Sequence, residues 1–143
     1  MYTMKKYETK AYAKINLGLD VTGRLPNGYH QVQMIMQQIG IYDELTFEQT
    51  QEGIVITADT EDLPLDGNNL ISKAVGHMMK TYGISGGLHI HLQKNIPIAA
   101  GLAGGSSDAA AAIKAVNHLF ALNLPLSRLM EEGAVIGADV PFC

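Results

Sequence analysis

A glycine-rich segment directly before an alanine run is the part of this chain with the clearest chemical potential. In order, its residues are Gly101, Leu102, Ala103, Gly104, Gly105, Ser106, Ser107 and Asp108. Glycines let backbone N–H groups approach an anion without a Cβ in the way. A helix that starts there adds its positive dipole end and its unpaired N–H groups, which most often hold phosphate. The segment predicts a phosphate loop, with Ser106 to Asp108 as cap and first-turn residues.

The spacing in this segment excludes the two best-known phosphate loops. A Walker A loop needs a lysine directly after its last glycine, and Ser106 follows Gly105 here. The dinucleotide fingerprint needs a different separation of its three glycines. A flexible connection before a helix is the alternative, and the capping residues disfavour it.

Three further sites carry residues that could act in chemistry. Lys14 and Asn16 lie on one side of an apolar strand, where a lysine needs a partner or a role. The strand alone slightly favours the alternative of a lysine whose stem packs while its head stays in water. Asp139 stands among small and apolar residues and needs a cation or donors nearby, unless it ends a helix. Lys14 is the lysine we expect to meet it.

Two further pairs of residues could bind a ligand, but each has a structural interpretation that is favoured when the pair is considered alone. Tyr29 and His30 could stack on and hydrogen-bond to a base or sugar, but a structural aromatic beside a surface histidine is favoured without context. His89 and His91 share one strand face, and no third metal ligand with suitable spacing accompanies them. A solvated strand face explains this pair better than a metal site.

The elements that must position these residues follow from hydrophobic periodicity. Residues 7–24 predict two extended segments with a bend at 16–18, and residues 25–28 predict a tight turn. Residues 31–41 predict one strand, and residues 45–49 and 54–58 predict a strand pair around Glu52 and Gly53. Helices are predicted from an Asn69 cap to about 82, over 108–121, and from 127 to Gly133 or Gly137, with a half-buried strand over 88–92. This order predicts an α+β fold.

Composition limits the class of protein. The chain has 143 residues, a net charge of −4 and no basic run, which argues against nucleic acid and anionic membranes as partners. No apolar stretch reaches the roughly 20 residues of a membrane span, and no signal-peptide core is present. Cys143 is the only cysteine, which excludes an intrachain disulfide and fits the cytoplasm. We therefore expect a cytoplasmic protein, and its oligomeric state stays open.

The last residues, from Ala138 to Cys143, are mostly apolar and carry no polar tail. We expect the chain to be the N-terminal portion of a longer protein. The alternative is a short natural chain whose last residues form a buried strand.

The segment from Pro97 to Asp108 resembles the nucleotide loop of the GHMP kinase superfamily, with its proline, its Gly-Leu pair and its Ser-Ser pair. Matching stretches around residues 13–17, 27–30, 69–70 and 137–141 occur in the same order, so the resemblance spans residues 11–143. It implies a mixed, mostly antiparallel sheet covered by helices, similar to domain 2 of ribosomal protein S5. Residues 1–143 would form the N-terminal ATP-binding and catalytic domain, and the C-terminal domain would be absent.

Within the superfamily, the chain resembles kinases of non-mevalonate isoprenoid synthesis, which transfer the γ-phosphate of ATP to a hydroxyl of a cytidine-diphosphate-linked substrate. The resemblance implies that Asp139 is the general base and a substrate contact, and that Lys14 holds it ionised. Asn16, Tyr29 and His30 would contact the substrate, the last two at its cytosine. Mg²⁺ is expected with ATP, and no ligand residue is assigned to it. The implied nucleotide-binding residues are Asn69, Lys94, Pro97, Ile98, Ala99, Ala100, Gly101, Leu102, Ala103, Gly104, Gly105, Ser106 and Ser107.

Two departures from the superfamily pattern bear on this interpretation. Many members have glycine where this chain has Ala103, a change expected to be mild. Members are also longer, with a second domain after this region. Another kinase of the superfamily, of the homoserine or mevalonate type, and a nucleotide-binding fragment without activity of its own therefore remain as alternatives.

Overall fold

A computed structural model describes residues 5–24, 26, 30–63, 69–98 and 101–143 of the chain. Within those residues the chain forms four strands and three helices in the predicted order. The elements are β1 (Lys6–Arg24), β2 (His30–Thr50), β3 (Gly53–Ala58), α1 (Leu70–Thr81), β4 (Gly87–Gln93), α2 (Gly104–Leu119) and α3 (Leu126–Ile136).

The strands form one sheet in the order β1-β2-β4-β3. The β1–β2 and β2–β4 pairs are antiparallel, and the β3–β4 pair is parallel. The predicted α+β fold with a mixed, mostly antiparallel sheet is confirmed. Strand β4 is central because Leu88, Ile90 and Leu92 all lie in the core.

The predicted pairing around Glu52 and Gly53 is wrong, because β4 lies between β2 and β3. Thr50 and Gly53 are both register partners of Gly87, so the short connection arches over the start of β4. Considered without the rest of the chain, residues 45–49 and 54–58 favour a β-hairpin, because two-residue loops are common in hairpins. The apolar β4 displaces that pairing, and α1 provides the crossover that a parallel pair needs.

The long strands β1 and β2 merge segments that the sequence pattern separated. Residues 31–41 and 45–49 belong to the one strand β2, and residues 7–24 lie in β1. The predicted bend at 16–18 appears as a shift in register, and another shift lies between Tyr12 and Lys14. Consecutive strand residues normally point to opposite faces. Around this second shift, however, Ala13 and Lys14 are both buried. The irregularity therefore turns Lys14 inward.

Helices α1 and α2 cover one face of the sheet and close the core. The α2 alanines Ala109, Ala112 and Ala115 are fully buried, and their small side chains let the helix approach the sheet closely. Asn69 caps α1 as predicted by accepting a 2.7 Å hydrogen bond from Ile71 N. Gly83, at φ 61°, follows the last turn of α1, which agrees with the predicted end near residue 82.

The remaining predictions of elements have mixed outcomes. Helix α3 ends at Ile136 with Gly137 as its cap, which selects the second of the two predicted ends. Of the predicted turn at 25–28, only Pro26 belongs to the described residues, and it lies in a turn. No helix in the described part of the chain is both long and apolar enough to cross a membrane.

The close approach at Gly87 gives a test of the strand order. A Cβ at Gly87 would lie 2.4 Å from Glu52 C and 2.4 Å from Gly53 O, both rigid backbone atoms. We expect Gly87→Ala to lower the free energy of unfolding by about 3 kcal/mol in urea denaturation. Gly76→Ala in α1 is the control, because no atom lies within 4 Å of its Cβ position. It should be neutral or stabilising by up to about 1 kcal/mol. Equal effects of the two changes would contradict the central position of β4.

Candidate functional site

The glycine segment forms a turn that leads directly into α2. Gly101 and Ala103 have φ angles of 73° and 56°, and Ala103 is the residue that precedes the helix. The prediction that Ser106 to Asp108 cap the helix is wrong, because α2 already begins at Gly104 and no side chain caps it. The left-handed turn at Ala103 starts the helix early.

The early start changes which groups face an incoming anion. The backbone N–H of Ser107 donates to the Ala103 carbonyl over 2.9 Å, within the first turn. The N–H groups of Gly104, Gly105 and Ser106 come before it, among the first four that an α-helix leaves without an intrahelical partner. With the positive end of the helix dipole, these N–H groups have the arrangement that suits an anion.

An open cavity of about 270 Å³ lies over this helix start. Many of the predicted nucleotide-binding residues line it, and Leu63 and Leu70 add apolar surface. Of the other four, Asn69 caps α1, Ser107 lines a different cavity, and Ala99 and Ala100 lie outside the described residues. The predicted residues that line the cavity are Lys94, Pro97, Ile98, Gly101, Leu102, Ala103, Gly104, Gly105 and Ser106.

The structure brings Lys14 and Asp139 together. Lys14 Nζ lies 3.9 Å from Asp139 Oδ2 and 3.4 Å from Asn16 Oδ1. The Lys14 side chain is 6% exposed, so the alternative of a lysine head in water is wrong. Asp139 is 40% exposed and lies beyond Gly137, the cap of α3, so it does not end that helix. A half-open carboxylate beside a buried cation can accept a proton from a bound hydroxyl group.

A backbone hydrogen bond connects strand β1 to the glycine loop. The Lys14 N–H donates to the Leu102 carbonyl over 3.0 Å. Lys14 and Ser107 also line a second cavity, of about 240 Å³, between β1 and α2. Because Leu102 lines the first cavity and Lys14 the second, the two cavities are neighbours.

A buried charge cluster under the loop involves Asp43, which the sequence analysis did not single out, and Asp108, which it assigned only to the start of the helix. Lys94 Nζ donates to Asp43 Oδ2 over 2.7 Å and to Asp108 Oδ2 over 3.2 Å. Asp43 Oδ1 accepts from the backbone N–H groups of Asn95 and Ile96, over 2.7 and 2.8 Å. The cluster therefore links β2, the segment after β4, and α2.

The three charged groups of this cluster influence one another. Burial raises the pKa of Asp108 to about 8, and its hydrogen bond with Asp43 acts in the same direction. Burial also acts to raise the pKa of Asp43, but hydrogen bonds from Asp108, Ile96, Lys94 and Asn95 hold it below its usual value. Burial acts to lower the pKa of Lys94, and the two carboxyl groups nevertheless raise it. Of the two acids, Asp43 is therefore the one that ionises more readily, and Asp108 is the one that more readily keeps its proton.

Position along each element was the signal that could have revealed the two acids. Asp43 shares the inward face of β2 with Leu45 and Phe47 at a spacing of two residues. Asp108 lies in line with Ala112 and Ala115 on the buried face of α2. A charged residue on a core face needs a partner, and Lys94 serves both acids.

The structure describes only some of the predicted substrate-binding residues. Tyr29 lies outside the described residues, and His30 begins β2 without a described side chain. Asn16 is exposed and lies beside Lys14. His91 Nδ1 lies 2.8 Å from Thr57 Oγ1 on the solvent face of the sheet. Within the described ranges no three His, Cys, Asp or Glu side chains gather as a metal site would require.

Comparison with known proteins agrees with the fold. The family model for the GHMP kinases N terminal domain matches residues 69–143, so the chain belongs to this family. It is similar to 4-diphosphocytidyl-2-C-methyl-D-erythritol kinase of Lachnospira eligens, with 50% identity over 98% of this chain and 49% of that protein. The enzyme of the same name from Acetivibrio thermocellus is 49% identical over 98% of this chain and 50% of its own length. The chain thus spans about half the length of the curated relatives it matches.

Solved structures show the same relationship. A crystal structure of 4-(cytidine 5'-diphospho)-2C-methyl-D-erythritol kinase matches with a TM-score of 0.83 and 35% identity, over 95% of this chain and 48% of that one. Homoserine kinase from Cytophaga hutchinsonii matches with a TM-score of 0.72 at 20% identity, over 95% of this chain and 42% of that one. The second match shows the fold alone.

The left-handed backbone at Ala103 predicts an unusual response to glycine. An alanine at φ 56° carries a steric penalty that glycine does not. Alanine in place of the glycine that many superfamily members have at position 103 therefore costs conformational energy. We expect Ala103→Gly to raise the free energy of unfolding by about 1 kcal/mol. Ala109→Gly, inside α2, should lower it by about 1 kcal/mol or more. Thermal denaturation of both variants checks this, and the same sign for both would contradict the loop geometry.

Proposed function

We propose that residues 1–143 act as the N-terminal ATP-binding and catalytic domain of a kinase for 4-diphosphocytidyl-2-C-methyl-D-erythritol. The enzyme would transfer the γ-phosphate of ATP to the 2-hydroxyl of that substrate. The observation that carries the proposal is the Lys14–Asp139 pair, 3.9 Å apart, joined through the Lys14 backbone to the glycine loop. The 50% identity to a relative with this name over 98% of the chain supports the choice of substrate.

The chemistry assigns one task to each part of the site. The Asp139 carboxylate accepts the proton of the substrate hydroxyl, and the Lys14 ammonium beside it orients that hydroxyl. The N–H groups at the start of α2 hold the triphosphate of ATP, with residues 97–107 around it. Phosphoryl transfer depends mainly on positioning and charge neutralisation, which this arrangement provides.

Mg²⁺ fits the site as a companion of ATP. It prefers oxygen ligands and is often held largely by substrate phosphates and water, so it needs no dedicated cage of side chains. Bound Mg²⁺ would neutralise charge on the transferred phosphoryl group. We assign it no protein ligand.

The acceptor side of the site extends beyond the residues described above. We place Asn16, Tyr29 and His30 at the substrate, with Tyr29 and His30 at its cytosine. A second domain would close over the 40% exposed Asp139, which is supported by relatives about twice as long as the matched region. A nucleotide-binding module without catalysis is the other candidate, and a buried lysine paired with a half-exposed acid argues against it.

Removal of the base tests the mechanism. We expect Asp139→Asn to lower kcat by about 10³-fold, because the amide cannot accept the hydroxyl proton. Binding of ATP should change little, since Asp139 lies apart from the loop cavity. Coupled-assay kinetics on the product of the complete open reading frame would measure both. Glu131→Gln is the control, as this exposed acid pairs only with Arg128 among the described contacts and should keep full turnover. Unchanged kcat in Asp139→Asn would remove Asp139 from the mechanism.

Competition by cytidine nucleotides separates this proposal from another GHMP kinase activity. Homoserine and mevalonate kinases share the fold at 20% and 19% identity, which does not define a substrate. We expect CDP to compete with the acceptor substrate and not with ATP. Homoserine and mevalonate should remain unphosphorylated under the same conditions. Phosphorylation of either one, without inhibition by CDP, would reject the cytosine contacts assigned to Tyr29 and His30.

A further inference from the structure

The buried cluster of Asp43, Lys94 and Asp108 lies directly under the first residue of α2. A Cβ built on Gly104 would stand 2.8 Å from Lys94 Nζ, so the ammonium is close to the backbone that starts the helix. The side chain of Lys94 is 6% exposed, and both of its carboxyl partners are 3% exposed or less. The cluster is therefore part of the floor of the phosphate loop.

The cluster holds two acids for one base, and its geometry shows how that imbalance is resolved. Both carboxylate oxygens of Asp43 accept hydrogen bonds, Oδ2 from Lys94 and Oδ1 from two backbone N–H groups. Asp108 Oδ1 is buried without a hydrogen-bond partner among the described residues. A buried carboxylate oxygen without a donor is costly, whereas a neutral acid tolerates that position better. The ion pair is Lys94 with Asp43, and Asp108 is the neutral member.

We propose that Asp43, Lys94 and Asp108 are positioning residues for the nucleotide. The Asp43–Lys94 pair fixes the backbone that leads into the loop, and a neutral Asp108 keeps uncompensated negative charge away from the phosphates. This inference rests on the proposed binding of ATP at the start of α2. It gives Lys94 a supporting role, with its ammonium held by protein carboxyl groups.

The protonation of Asp108 makes this role visible as a pH dependence. The charged groups that face Asp108 are Lys94, after β4, and Asp43, on β2. As the pH rises through about 8, Asp108 loses its proton and the floor of the loop gains a negative charge. That charge repels the phosphates, so ionisation of Asp108 lowers nucleotide affinity above this pH. By linkage, bound nucleotide favours the protonated form.

Nucleotide affinity between pH 6 and pH 9 provides the test. The probe is a non-hydrolysable ATP analogue with Mg²⁺, titrated by calorimetry into the product of the complete open reading frame. We expect the unsubstituted protein to bind about tenfold more weakly at pH 9 than at pH 7. Asp108→Asn copies the neutral acid, so it should bind within about threefold of the unsubstituted protein at pH 7 and lose the alkaline decline.

Two further variants test the other members of the cluster. Lys94→Met leaves Asp43 without its cation and should weaken binding by at least about tenfold at pH 7. Asp43→Asn frees Lys94 to pair with Asp108, which should ionise at lower pH and remove the alkaline decline. Glu132→Gln is the matched control, because Glu132 is also buried and hydrogen-bonded, but to His77 and Tyr82. Its pH profile should match that of the unsubstituted protein.

The outcomes separate this inference from the proposed function. If the unsubstituted protein binds and phosphorylates but its affinity is flat from pH 7 to pH 9, the inference is overturned and the function stands. The same holds if Asp108→Asn retains the alkaline decline, or if Lys94→Met binds as tightly as the unsubstituted protein. Failure of the unsubstituted protein to bind nucleotide at any pH would overturn the proposed function and this inference with it.

Discussion

A backbone hydrogen bond connects the strand that carries Lys14 to the glycine loop, and the geometry of the candidate site depends on it. The Lys14 N–H on β1 donates to the Leu102 carbonyl in the glycine loop, over 3.0 Å. The register shift next to Lys14 turns its side chain inward, to within 3.9 Å of Asp139. A one-residue shift of β1 relative to β2 would therefore displace both the N–H group that binds the Leu102 carbonyl and the Lys14 ammonium. The geometry of the site depends on this irregular point in an otherwise regular strand pair.

The buried charges beneath the loop fix the orientation of nearby backbone groups more than they stabilise the fold. Desolvation of an ammonium and two carboxyl groups offsets much of their mutual attraction, so such clusters are weak sources of folding energy. Their hydrogen bonds are directional, however, and Asp43 alone orients the N–H groups of Asn95 and Ile96. The segment after β4 is held in one conformation by this acceptor. A purely apolar floor could supply similar burial, but it could not orient those backbone groups.

Much of the fold could be predicted from periodicity, because local patterns determine which segments become strands and helices. The α1 cap at Asn69 and the buried face of β4 are examples. The order of strands could not be predicted in this way, since a central β4 depends on burial between distant segments. The start of α2 was missed because Ala103 adopts a left-handed conformation that alanine seldom takes. The need of Asp139 for a cation already suggested Lys14 as its partner, and the family resemblance added a catalytic role for the pair. The burial of Asp43 and Asp108 could have been predicted only from their positions on core faces.

The central position of β4 has a consequence for how the chain folds. Strands β2 and β3 are synthesised one after the other, with two residues between them, and β4 follows only after α1. Until β4 arrives, the edges of β2 and β3 that it will occupy lack their native partner and can pair with each other or with another chain. The native order therefore replaces a fast local contact by a slower, more distant one. Folding speed and resistance to aggregation in this family member depend on how early the apolar β4 docks between its neighbours.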